Sequence, residues 1–114
     1  MRTGYLSNKE SFGYTDSVDS IVVGMCRDFE RRTSSLRNES CGRRTAMEFR
    51  FLNSLIFDAA SEIVGEKLSG IFIEEIGNRT GFAYSKVDCF SESAYKLNKQ
   101  QIKLGIARKL HLID

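Results

Sequence analysis

Residues 44–64 read RTAMEFRFLNSLIFDAASEIV and are followed by Gly65. Stepped at 100° per residue, Phe49, Leu52, Leu55, Ile56, Ala59, Ala60 and Ile63 fall on one face, the period of a helix and not of a strand. Met47, Phe51, Phe57 and Val64 lie outside that face. A helix that is apolar nearly all round belongs in the interior, so this segment is expected at the centre of a bundle, with Gly65 as its C′ residue. Asp58, Glu62 and Glu66 follow one another at four-residue steps. With no histidine and no second carboxylate helix beside them they read as a solvated stripe, not metal ligands.

On the N-terminal side, the polar stretch RNESCGRR, residues 37–44, predicts a turn between two antiparallel helices. The helix before it runs from Asp16 to about Leu36, with Val18, Val22, Met25, Phe29 and Leu36 in one stripe and Arg27 and Arg31 opposite. Residues 1–15 are rich in Gly, Ser, Asn and Tyr and keep no period, so they are expected to be a flexible arm preceding a single helical domain over 16–114. On the C-terminal side, Leu68, Phe72 and Ile76 mark a short helix from Lys67 to Asn78, and Gly77 and Gly81 bracket its exit. A short element over Phe82–Phe90 leads to a last helix from about Ser91 to His111. Ser91 is placed to cap it, and Phe90 and Tyr95 to close a hydrophobic staple. With no proline and no strand-like alternation, the expected fold is all-α, a small bundle of about four helices.

At 114 residues, with 41% apolar and 28% charged residues, the chain can build one self-sufficient core. Cys26, Cys41 and Cys89 form no C-x-x-C pair and leave one over, so they read as free thiols in a reducing, cytoplasmic setting. No apolar run reaches membrane-spanning length, and residues 1–17 contain no leader-like apolar core. The net charge of +2 is unevenly placed, at −1 over residues 1–26, +3 over 27–50, −4 over 51–78 and +4 over 79–114. Segregated sign of this kind is the electrostatic footprint of a one-sided surface.

The last helix carries the most suggestive pattern. Tyr95, Ile102, Ile106 and Ile113 share one face, whereas Leu97 and Leu104 form a second apolar stripe more than 100° away. Two stripes suggest two bodies, one being the rest of the domain and the other a second copy, so Leu97 and Leu104 are the expected homodimer interface. Between the stripes lie Ser93, Lys96, Lys99, Gln100 and Lys103. Lysines supply charge to phosphates, and a glutamine amide matches the paired acceptor and donor on an adenine edge, which is what a recognition helix offers double-stranded DNA. Arg43 and Arg44 in the preceding turn are expected to add phosphate contacts. The order short helix, Gly-containing turn, capped long helix fits a helix-turn-helix, in which either Ile71–Asn78 or Tyr84–Cys89 precedes recognition.

The tail from Gly81 to Asp114 resembles the C-terminal region of the phage-associated ArpU-type transcriptional regulators. The shared features are Ser91, Glu92 and Ser93 at the helix start, the aromatic Tyr95, a following lysine at Lys96 or Lys99, and a close of Ile106, Ala107 and Leu110. The resemblance covers about a third of the chain. It implies a sigma-like helix-turn-helix and DNA-binding regulation.

Enzymatic patterns are missing. The lone histidine, His111, stands three residues from the end, and the adjacent Glu74 and Glu75 face different directions on a helix. No phosphate-binding glycine loop, zinc-protease motif or nucleophile elbow occurs, so neither catalysis nor a cofactor or metal is expected. Cys26 lies beside the apolar stripe and reads as an inert packed thiol. Two readings remain, a dimeric DNA-binding regulator and a helical protein–protein interaction module that never meets nucleic acid.

Overall fold

The computed structural model describes residues 13–114 and is all-α. Among the described residues five helices follow in order: α1 Asp16–Arg27, α2 Phe29–Arg37, α3 Arg43–Val64, α4 Glu66–Gly77 and α5 Glu92–Lys109, with a 3₁₀ turn over Phe82–Tyr84. Most of the arm expected at residues 1–15 lies outside the described residues. Its last three do not behave as an arm. Thr15 is the N-cap of α1, accepting from the Val18 N–H at 3.2 Å, and the Tyr14 hydroxyl donates to Asp19 Oδ1 at 2.8 Å.

The single first helix expected from Asp16 to Leu36 is broken at Asp28. Asp28 has φ −87° and ψ 0°, close enough to helical that the apolar stripe carries across the interruption. The break lets α1 pack on α4 and α5 while α2 packs on α3. It is held by Arg32, whose Nη2 donates to the Met25 carbonyl at 2.6 Å and whose Nε donates to Asn53 Oδ1 of α3 at 2.7 Å. Asn53 Nδ2 donates in turn to Thr33 Oγ1 and the Phe29 carbonyl.

Ile56, Ala59 and Ala60 of α3, Phe72, Ile73 and Ile76 of α4, Val22 and Val23 of α1, and Tyr95, Ile102 and Ile106 of α5 form the core. Ile113 lies beyond α5, in a tail that folds back against this core. Gly65, at φ 83° and ψ 165°, is the one residue between α3 and α4. Its conformation is one that side chains rarely adopt, and the corner is fastened by Ser69 Oγ, which donates to the Gly65 carbonyl at 2.7 Å and bonds Ser61 Oγ at 2.9 Å. Cys26 is buried, and burial pushes its thiol up to about 12. Titration of the native protein with a thiol reagent should therefore modify Cys89 and Cys41 quickly and Cys26 only on unfolding.

Helices α2, α4 and α5 end alike. Glu39, Arg79 and His111 adopt φ of 52°, 53° and 61°, and the following N–H groups of Ser40, Thr80 and Leu112 return to the carbonyls of Ser35, Glu75 and Ala107. These are Schellman closures, where glycine is the usual C′ residue. A side chain there costs roughly 1–2 kcal/mol.

Candidate nucleic-acid interface

Helix α5 starts as the sequence indicates, with Ser91 Oγ accepting from the Ala94 N–H at 3.2 Å. Phe90 and Tyr95 both pack on the ring of Phe72, at centroid distances of 6.1 and 5.5 Å. Beneath the helix start lies a buried carboxylate, Glu75, only 4% exposed. It accepts from Ser85 Oγ and the Tyr95 hydroxyl at 2.6 Å each and from the Lys86 N–H at 2.7 Å. Burial alone would raise its pKa, but these three donors and the nearby Lys99 ammonium outweigh burial and hold it below the usual carboxylate value. Burial and the hydrogen bond to Glu75 push the Tyr95 hydroxyl up to about 12.

The sign of the pH dependence follows. A carboxylate with a depressed folded pKa contributes stability that is present above its unfolded value, ordinarily about 4.3, and lost as pH falls through the folded value. Stability should decline below about pH 4.5, and Glu75→Gln should flatten that decline while lowering stability at neutral pH. Urea unfolding from pH 3 to pH 7 measures both.

The proposed recognition face divides along its length. Near the helix start Ser93 and Lys96 are exposed, and Lys96 pairs with Glu92 at 2.9 Å; Gln100, one turn further, is half-buried. Lys99 and Lys103 turn inward. Lys99 Nζ donates to the Thr80 carbonyl at 2.6 Å and lies 4.9 Å from the Tyr95 ring centroid, and Lys103 Nζ, on a side chain 13% exposed, pairs with Asp19 Oδ1 at 2.9 Å. Neither projects outward with Ser93 and Lys96, because the Thr80 carbonyl and Asp19 draw both toward α1 and the exit of α4. Leu104 is likewise 2% exposed, and with Ala59 and Ile63 of α3 it lines one cleft. Its second stripe is satisfied by α3 of the same chain, so it is no dimer contact; Leu97 is half-buried.

Arg43 and Arg44 are exposed in the first turn of α3, where a helix N-terminus disfavours positive charge. They do not join the α5 face. Helices α3 and α5 run antiparallel, since Phe51 and Asp58 share a cleft with Lys109 while Ile63 shares one with Gln101. From the contact of Ala59 with Gly105, Arg43 lies about 24 Å along α3 on one side and Ser93 about 18 Å along α5 on the other, at 1.5 Å per residue. The helix-turn-helix expectation also changes. Tyr84–Cys89 is not a helix beyond the end of the 3₁₀ turn, and α4 is joined to α5 by residues 78–91, far longer than the three or four residues of a compact turn.

Two features escape the sequence reading. Arg79, assigned to a glycine-bracketed turn, has its Nη1 3.3 Å from Asp19 Oδ2 and lines a cleft with Lys99 and Lys103. Met47 and Phe51, expected inside, are 62% and 66% exposed on one flank of α3, beside a cleft of about 320 Å³ formed by Phe51, Ser54, Leu55, Asp58 and Lys109. Their exclusion from the main apolar face was the available signal. Among the described residues no helix is long and apolar enough to cross a membrane. No family model, curated protein or solved structure matches the chain.

Proposed function

We propose that this protein is a DNA-binding regulator that presents the first two turns of α5 to the major groove. The observation that carries the reading is the asymmetry of that helix: its capped start projects Ser93 and Lys96 into solvent, whereas its second half is clamped between α1 and α3. Recognition helices contact base edges mainly with their N-terminal residues, and the ArpU-like pattern at Ser91–Tyr95 falls on the same two turns. Ser93, Lys96 and the outer edge of Gln100 form the contacting set, while Lys99 and Lys103 act on phosphates or not at all. Arg43 and Arg44 lie too far away to share that footprint and serve a flanking segment of DNA or a second site.

Fluorescence anisotropy of labelled duplexes drawn from the DNA around its own gene tests this. Affinity should fall with salt at a log–log slope of about 0.9 per phosphate contact, and Lys96→Glu should reduce the slope by about one or more. Absence of binding at low salt rejects the reading.

The exposure of Met47 and Phe51 favours a second function, a helical interaction module that docks through α3, either alone or as the dimer contact of a DNA binder. Self-association is read from solution mass. A dimer that Met47→Glu with Phe51→Glu converts to monomer supports it, and a wild-type monomer at high concentration rejects self-association.

A further inference from the structure

We propose that the cleft walled by Arg79, Lys99 and Lys103 and floored by the backbone of Thr80 and Gly81 receives a phosphate group, which on the DNA reading above is a backbone phosphate of the bound duplex. The cleft is about 180 Å³ in volume and opens between α1, the exit of α4 and α5, with Val23 and Ile76 as its apolar wall.

Charge is the first argument. Three cations line the cleft against one carboxylate at its edge, Asp19, and that carboxylate is already divided among Tyr14, Lys103 and Arg79. The Lys99 ammonium rests on the Thr80 carbonyl and the Tyr95 ring. Glu75, which also acts on Lys99, already accepts from Ser85, Tyr95 and the Lys86 N–H. Burial first, then Lys103 and Lys96, lower the Lys99 pKa against the opposing pull of Glu75.

Backbone conformation is the second argument. Arg79 occupies the left-handed C′ position of α4, where glycine would relieve strain, and Gly81 has nothing within 4 Å of where a side chain would stand. The chain thus carries an arginine where local geometry favours glycine and leaves the floor beside it open. The same closure holds Glu39 and His111, so what distinguishes Arg79 is the guanidinium it brings to the wall of this cleft.

The test uses the full chain, ¹⁵N-labelled and titrated with inorganic phosphate at constant ionic strength against chloride. The Thr80, Gly81 and Lys99 amides should shift saturably at millimolar phosphate. Arg79→Gly, which removes the guanidinium while relieving the strained φ, should lose these shifts and keep a dispersed spectrum; Lys99→Arg should retain them. Shifts scattered evenly over the surface, or undiminished in Arg79→Gly, overturn the proposal. A duplex titration separates this result from the DNA reading. If phosphate fills the cleft and no duplex binds, the site takes free phosphate and the DNA reading fails. If duplex binds with the same salt slope in Arg79→Gly and phosphate leaves the cleft amides unmoved, the cleft proposal fails and the DNA reading stands.

Discussion

Replacing Gly77 by alanine is expected to lower the thermal unfolding midpoint by on the order of 10 °C, whereas the same change at Gly70, in the same helix, should raise it by a few degrees. Alanine is the better helix former by about 1 kcal/mol, and that gain applies at both positions. The surroundings decide the sign. A Cβ at Gly77 would stand 2.6 Å from Arg27 N, 2.7 Å from Arg27 Cα and 2.9 Å from Cys26 C, where α1 crosses α4 backbone to backbone. Main-chain atoms cannot swing aside as a side chain can, and the Arg27 guanidinium also ties this crossing to the Gly77 carbonyl at 3.1 Å. Overpacking costs typically 1–3 kcal/mol and more where neighbours cannot move, so a net loss of about 3 kcal/mol is expected. At Gly70 nothing lies within 4 Å, and only the helical gain remains. Differential scanning calorimetry of the two variants checks the opposite signs; a stable Gly77→Ala protein would mean that the α1–α4 crossing is wider than described.

The second large effect is expected at Arg32, which is 2% exposed. Its one carboxylate partner, Asp28, is distant at 3.4 Å and itself half-exposed. Burial, the largest influence, lowers its pKa. Its geometry is sustained by the Asn53 and Met25 oxygens. Arg32→Met should cost about 3–4 kcal/mol, because both acceptors are left buried without their donor. Arg32→Met combined with Asn53→Leu removes the Arg32–Asn53 pair, though not the Met25 carbonyl, and should recover part of that loss, since replacing a whole buried polar pair is far cheaper than halving it. Arg32→Lys should not rescue, as an ammonium cannot span Asn53, Met25 and Asp28 together. Denaturant unfolding of the four proteins in the double-mutant cycle gives the coupling; strictly additive losses would show that the pair acts independently.

Much of the fold is legible because it follows local rules. The Ser91 cap, the Gly65 corner and the interior stripe of Tyr95, Ile102 and Ile106 are each set by a few neighbouring residues. The break at Asp28 is not legible, because one residue at ψ 0° hardly disturbs the periodicity, and the reason for the break, Arg32 reaching Asn53 of α3, spans 21 positions. The outward placement of Lys99, Lys103 and Leu104 on α5 failed for a related reason. A helical wheel places Lys96, Lys99 and Lys103 on one side, but it cannot show that Asp19, from the far end of the chain, draws Lys103 inward, nor that α3 covers Leu104. Phe51 was misjudged in the opposite direction. Counting apolar residues around the wheel made α3 look fully enclosed, when the flank carrying Met47 and Phe51 stands exposed.

That same division of α5, open at its start and enclosed beyond, is what the functional account depends on. Amide chemical-shift mapping of the labelled protein with a gene-proximal duplex at low salt tests it residue by residue. The expected result is a perturbed set concentrated at Ser91–Gln100, with little change along the first turns of α3. Perturbations centred on Met47 and Phe51, or none at saturating duplex, would contradict it.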